Sequence, residues 1–359
     1  MSQYVKRILD DFKYSLYEFN TEDIPSLYIG GGTPSMLGAD LVCRLVNGLN
    51  EIWHGRNKKQ IQDSSAEITM EANPESCSLQ LLSAAKDAGV NRLSLGIQTF
   101  NEQSRKLIGR IGEAGGLGKK LELAANIFAE NFSVDLISGL PLQNKKSIKD
   151  DINRVIAYKP AHISLYSLIV EQGTPLADNA ASGKIKLPSQ DAADRLWIFG
   201  RDLLEESGYK QYEVSNFCFQ GRESRHNLRY WRMENWLGLG PAASGTIIYD
   251  SAGTGLRFTN ISDTAKWQNR TASVIPPRTA EQLDRQTLIK ETMMMGFRLL
   301  EGPNTESFKH RFNKNIEDII PRTIASWRDR RLMRPDKTAL TADGLLLLDR
   351  FLIDAFEEL

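Results

Sequence analysis

Cysteine is scarce in this chain. Of 359 residues only Cys43, Cys77 and Cys218 carry thiols, and they lie far apart. They form no C-x-x-C pair and no disulfide framework, which excludes a stapled secreted domain and any cysteine-rich metal motif. Cys43 stands among Leu41, Val42, Leu45 and Val46 and reads as a buried small apolar group. Cys77 follows Pro74-Glu75-Ser76 at a loop-to-helix junction, and its exposure is left open. An excess of charge is missing too: 45 basic side chains balance 45 acidic ones. That balance removes the electrostatic reason to expect nucleic acid or an anionic membrane as partner. No apolar stretch approaches the roughly 20 residues of a membrane helix. The opening Met1-Ser2-Gln3-Tyr4-Val5-Lys6-Arg7 lacks the apolar centre of a signal peptide. A cytoplasmic protein without an integral membrane segment is expected.

What the chain does have is a repeated unit. Residues 3–18 read as a helix, with Tyr4, Ile8, Phe12 and Leu16 at the helical period. Five short β-rich runs then begin at Ser26, Ala66, Arg92, Phe132 and His162. Helical patterns follow them, among them Gly38–Trp53 and Leu79–Ala88. Such βα repeats predict a parallel sheet with helices outside it, in a barrel or partial barrel. The pattern breaks after residue 215. A stretch from Gln220 to Gly245 carries Arg222, Arg225, Arg229, Trp231 and Trp236. Residues 250–280 read as polar loop, with Pro276-Pro277 as a linker, and 279–359 as mainly helical. Three regions are therefore expected: 1–215, 216–278 and 279–359. Thr341 reads as the N-cap of a helix near the end. The tail reads as a structural helical module, with a winged-helix-like form left open.

Ligands of a parallel αβ barrel bind where its strands end, and the unusual residues lie there. The first run exits into Gly30-Gly31-Gly32-Thr33-Pro34-Ser35, where glycine lets backbone approach a ligand. The second ends with Glu71 before Asn73-Pro74. The third ends with Gln98, with Arg110 downstream. The fourth carries Asp135 before Gly139-Leu140-Pro141. Two carboxylates, an amide and a guanidinium around one rim suit a zwitterionic ligand with hydroxyls. Each residue taken alone reads equally as a solvated loop group.

In this order, the segments Tyr28-Ile29-Gly30-Gly31-Gly32-Thr33-Pro34-Ser35, Glu71-Ala72-Asn73-Pro74, Arg92–Gln98, Asp135–Pro141 and His162–Leu168 resemble the radical S-adenosylmethionine (SAM) proteins related to oxygen-independent coproporphyrinogen III oxidase. The likeness spans the whole chain and implies a partial (βα) radical-SAM barrel, α/β in class and missing its first strand, with a mainly helical C-terminal domain. It also implies that Gly31, Gly32, Thr33, Glu71, Gln98, Arg110 and Asp135 contact SAM. The motif His226-Asn227-Leu228-Arg229-Tyr230-Trp231 is similar to that of the HemW branch, for which the resemblance implies a haem chaperone that delivers haem to acceptor proteins, with a homodimer left open. His226 would then ligate haem iron. Arg222, Arg225, Arg229 and Arg232 would meet its propionates if the stretch is helical. Without the resemblance, His226 and Asn227 read equally as fixing a loop. An oxidase, and a SAM- or haem-binding remnant without catalysis, remain alternatives.

The chain departs from that family at its chemical centre. A [4Fe–4S] cluster is expected there on a C-x-x-x-C-x-x-C loop, and none of the three cysteines has that spacing. The expectation is that the natural chain is longer, and that the run at Leu27–Ile29 is left as a sheet edge. Gly112 also stands where relatives carry histidine, and Gly240-Pro241-Ala242-Ala243-Ser244 lacks another.

Overall fold

The structure is a computed structural model and describes residues 1–110, 112–129, 131–270 and 277–359. The chain divides into two compact units. One comprises Ile24–Gln211 and Ser215–Glu223. The other comprises Met1–Asp23, Tyr212–Val214 and Ser224–Leu359.

The first unit is built on seven strands: β1 (Ser26–Ile29), β2 (Glu67–Ala72), β3 (Arg92–Gln98), β4 (Phe132–Ser138), β5 (His162–Ser167), β6 (Lys210–Gln211) and β7 (Asn216–Cys218). Their order is β1-β2-β3-β4-β5-β7-β6. The five runs read from sequence are the five parallel strands. β7 adds antiparallel to β5, and β6 antiparallel to β7. Among the described residues β1 pairs only with β2 and is a sheet edge.

Strand registers fix what each side of this sheet carries, because side chains alternate between faces. Tyr28 lies opposite Thr69, Glu71 opposite Ser94, and Gly96 opposite Asp135. Asp135 in turn faces Ser164, and Ser164 faces Asn216. One face is thus a polar row running across the strands. The other face is apolar: Met70, Leu93, Leu95, Val134, Ile163 and Leu165 are at most 1% exposed. Helices Leu117–Phe128, Lys145–Ile156 and Gln190–Glu206 pack on β3, β4 and β5. Gly200 lets the last of these lie close to Leu165, and Trp197 Nε1 donates to the Leu165 carbonyl at 2.8 Å. Each such apolar side chain contributes roughly 1.5–3 kcal/mol on burial. Cys77, for which exposure was left open, is 2% exposed, and Cys43 is half-buried rather than buried. Cys43 Sγ meets the Ala84 carbonyl at 3.3 Å, a polar contact that keeps it at the helix margin.

The second unit differs from the sequence reading. After β8 (Ser244–Tyr249), residues 250–280, expected as loop, hold β9 (Thr254–Asn260), a helix over Thr264–Asn269 and the start of β10 (Arg278–Leu283), and β9 pairs antiparallel with both β8 and β10. Polar residues on the outward positions of β9 and β10 hid the alternation. Pro277 precedes β10, and Pro276 lies outside the described residues. Helix Ser2–Glu18, expected with the βα repeats, packs in this unit. Its buried Asp11 accepts from Trp267 Nε1 at 3.0 Å and pairs with Arg270, Tyr4 meets Trp267 at 5.1 Å, and Phe19 stacks on Phe258 at 5.3 Å. The C-terminal part is helical, as expected, around Met293, Phe297, Phe308, Trp327 and Phe351. Thr341 caps its helix by accepting from the Gly344 amide at 3.1 Å. No helix among the described residues is long and apolar enough to cross a membrane.

Candidate functional site

The polar face of the first unit gathers the rim residues. Glu71 ends β2, and Tyr28 Oη donates to its Oε1 at 2.6 Å. A side-chain carbon placed on Gly30 would lie 2.9 Å from the Glu71 carboxyl carbon, so β1 and β2 bring the glycine run and this carboxylate together. Gly31 adopts φ +81, a left-handed conformation that glycine tolerates, and nothing lies within 4 Å of where its side chain would be. Gly32 is equally open, so the backbone of these two glycines borders open space, with Thr33 next in the chain.

β3 ends in a bulge between Gly96 and Gln98, and Gln98 itself takes φ +69. A carbon built on Gly96 would lie 2.9 Å from Gln98 Nε2 and 3.8 Å from Arg110 Nη2, so the amide and the guanidinium converge over it. Arg110 Nη1 donates to Asn73 Oδ1 at 3.0 Å. Burial pulls the Arg110 guanidinium below its ordinary range, opposed by Glu75 and Asp135. A cavity of about 430 Å³ opens beside it, lined by Met36, Asn73, Glu75, Ser76 and Ile108.

Asp135 sits in β4 between Ser94 and Ser164. Ser94 Oγ approaches its carboxylate at 3.3 and 3.4 Å. Burial raises it to about 6 and Glu71 adds to the rise, while hydrogen bonds from Ser164 and Ser94 and the charge of Arg110 act against it. Gly31, Gly32, Thr33, Glu71 and Gln98 thus lie at or next to the carboxyl ends of β1 to β3, Arg110 reaches back toward Gly96 from the loop beyond, and Asp135 stands mid-way along β4, with both carboxylates on the polar face.

The second unit carries the histidine motif on a short helix, Arg225–Trp231, capped by Ser224. Arg225 is exposed and the residues from His226 to Trp231 are half-buried. His226 meets Tyr230 edge-on at 5.1 Å, and Tyr230 meets Trp236 at 4.9 Å. Burial, helped by Arg229, lowers His226 to about 4, so its imidazole is neutral at ordinary pH. A neutral imidazole offers a nitrogen lone pair to a metal or a donor. The four arginines are not one helical row. Arg222 precedes the helix and Arg232 follows it, Arg229 is paired with Glu234, and Arg232 Nη2 meets Glu301 at 2.8 Å.

These two arrangements can be set beside known proteins. The Radical SAM superfamily matches residues 2–155, and the HemN C-terminal domain matches residues 283–349. The heme chaperone HemW of Lactococcus lactis is 32% identical over 98% of this chain and 89% of its own length. That of Bacillus subtilis is 31% identical over 97% and 89%. The chain belongs to the HemW family. A mouse mitochondrial relative, radical S-adenosyl methionine domain-containing protein 1, is 32% identical over 91% of this chain and 71% of its own. The fold is that of coproporphyrinogen III oxidase HemN from Escherichia coli. That structure superposes with a TM-score of 0.78, covering 99% of this chain and 83% of its own at 22% identity.

For this HemW-family chain the residues present fit SAM and do not fit the cluster. Open glycine backbone, two carboxylates, an amide and a guanidinium match the ligand's ammonium, carboxylate and ribose hydroxyls. Cys43, Cys77 and Cys218 instead lie on three separate elements. Burial pushes the thiols of Cys77 and Cys218 up to about 12. No group of three metal-binding side chains occurs among the described residues. Sequence reasoning passed over Tyr28, Ser94 and Ser164, which share the polar face. The signal that would have found the two serines is polar residues at every second position within a strand, as in Thr69 and Glu71, Arg92 and Ser94, Ser133 and Asp135, and His162 and Ser164.

Proposed function

We propose that this chain is a haem chaperone that binds haem and SAM and passes haem to acceptor proteins. The single observation that carries the reading is His226 set edge-on to Tyr230, which itself packs on Trp236, in a chain whose relatives are named heme chaperone HemW. An imidazole nitrogen suits haem iron, and aromatic rings suit the face of a macrocycle. Haem is cargo in this reading. SAM, when bound, supplies a sulfonium. The chain's part is to orient it: Glu71 and Asp135 toward ammonium or ribose hydroxyls, Arg110 toward carboxylate, and Gly31, Gly32 and Thr33 through backbone. The cytoplasm is the proposed compartment, and three free thiols suit a reducing one.

Titration of the purified chain with haem, followed by the Soret band, tests this. One haem should bind per chain, and His226→Ala should weaken it by about tenfold or more, the loss of one axial ligand. Transfer to an apo-globin should proceed from the wild-type complex. A variant with unchanged haem affinity would remove His226 from the site.

A further inference from the structure

This inference rests on the proposal that the polar face holds SAM, and concerns how one of its carboxylates is aimed. Tyr28 is two residues before the first glycine of the run, and its hydroxyl reaches Glu71 Oε1 at 2.6 Å. Gly30 lies against both groups. A carbon built on it would stand 2.9 Å from the Glu71 carboxyl carbon, 2.9 Å from Tyr28 Cδ1 and 2.5 Å from Tyr28 Cε1. Gly30 is not in the left-handed region, so its backbone suits any residue, and space alone demands glycine there. Gly31 and Gly32 differ, since nothing lies within 4 Å of a carbon built on either. The glycine run therefore divides by task. Its first member makes room for a tyrosine and a carboxylate, and the next two border open space.

We propose that Tyr28 is a positioning residue whose hydroxyl fixes one oxygen of Glu71 and leaves the other for the ligand, with Gly30 kept small to admit the pair. Tyr28 suits that task because burial, and then Glu71, raise its phenol far above the ordinary range, so the proton stays on the tyrosine. The donor is available at every working pH. An unaimed Glu71 would spend part of its time in rotamers that do not meet the ligand, and a positioned one binds more tightly without a new contact.

The test is a double-variant cycle read by calorimetry with SAM and with S-adenosylhomocysteine. Tyr28→Phe should weaken binding about 5- to 10-fold, the worth of one hydrogen bond. Glu71→Ala should weaken it more, and the double variant should bind no worse than Glu71→Ala alone, because Tyr28 acts through Glu71. Gly30→Ala should resemble Tyr28→Phe. Additive losses, or wild-type affinity in Tyr28→Phe, overturn the proposal. A wild-type chain that binds neither ligand sinks the SAM reading instead. The pair is then judged in the free protein by NMR of ζ-carbon-labelled tyrosine, where the Tyr28 signal is the one absent from Tyr28→Phe. A signal that shifts in Glu71→Ala supports the pairing, and one that stays overturns it.

Discussion

Asp135 is a carboxylate placed where ionisation is costly. It would ionise near 3.8 in an open chain, and burial lifts it to about 6. Between those values the folded state holds more protons than the unfolded one, so stability falls as pH rises through that window. Asp135→Asn should flatten this slope and raise the melting midpoint above about pH 6, by on the order of 1–3 kcal/mol of stability. The same variant should bind SAM more weakly, a trade of function for stability. Differential scanning fluorimetry across that range decides it: a variant midpoint that tracks wild type at every pH removes the argument. His226 has the opposite sign. Lowered from 6.5 to about 4, it binds fewer protons folded than unfolded, and its contribution to stability is lost as pH falls through that interval. Haem binding through it should hold at about pH 5 and fail as pH approaches about 4. A Soret titration that already loses affinity near neutral pH would contradict a neutral imidazole ligand.

The turn after β3 shows how an element is held in a conformation its residues do not favour. Gln98 is left-handed at φ +69, which costs a side-chain-bearing residue about 1 kcal/mol or more. Two buried charges brace it. Asp151, from helix Lys145–Ile156, accepts from Thr99 Oγ1 at 2.7 Å and from the Phe100 amide at 2.8 Å. Arg105 donates to the carbonyls of Ile97 and Thr99 at 3.0 and 3.3 Å and to Glu75 at 2.7 Å. Asp151→Ala strands two buried donors and should cost about 2–4 kcal/mol. It should also weaken SAM binding, since Gln98 would no longer be aimed. Urea unfolding measures the first and calorimetry the second, and a variant as stable as wild type would show that the turn holds itself. No part of this brace was legible in the sequence. Asp151 is far from Gln98 in sequence, and a charged residue on an amphipathic helix, as both Asp151 and the nearby Arg105 are, reads as solvated. The parallel strands were legible because their alternation is apolar on one face. β8 to β10 were not, because the strands are short and outward polar residues such as Arg257, Thr259 and Glu281 make β9 and β10 read as loop.

At the scale of the whole molecule, the candidate site was legible as a set of residues and illegible as geometry. Gly31, Glu71, Gln98 and Asp135 stood out as an ordered set on successive βα units, since each alone is an ordinary loop or strand-end residue. That Glu71 and Asp135 share one face follows only from the register of β2, β3 and β4. The same division separates two activities that the family combines. The proposed haem site on His226 lies on a helix with no thiol in it. Cluster assembly requires three thiolates within reach of one metal group. Here Cys43 lies in helix Ala39–Asn57, Cys77 precedes helix Leu79–Ala88, and Cys218 lies in β7. The latter two are buried and held protonated. Thiolate, not thiol, is the metal ligand. Anaerobic reconstitution of this chain with iron and sulfide should therefore yield no visible charge-transfer band and no paramagnetic signal after reduction. Added SAM should remain intact, with no 5′-deoxyadenosine formed. The same preparation should still take up haem, because no cysteine enters that site. A reducible cluster assembled on these three thiols would overturn the separation. Haem uptake that required reconstitution would tie the two activities back together.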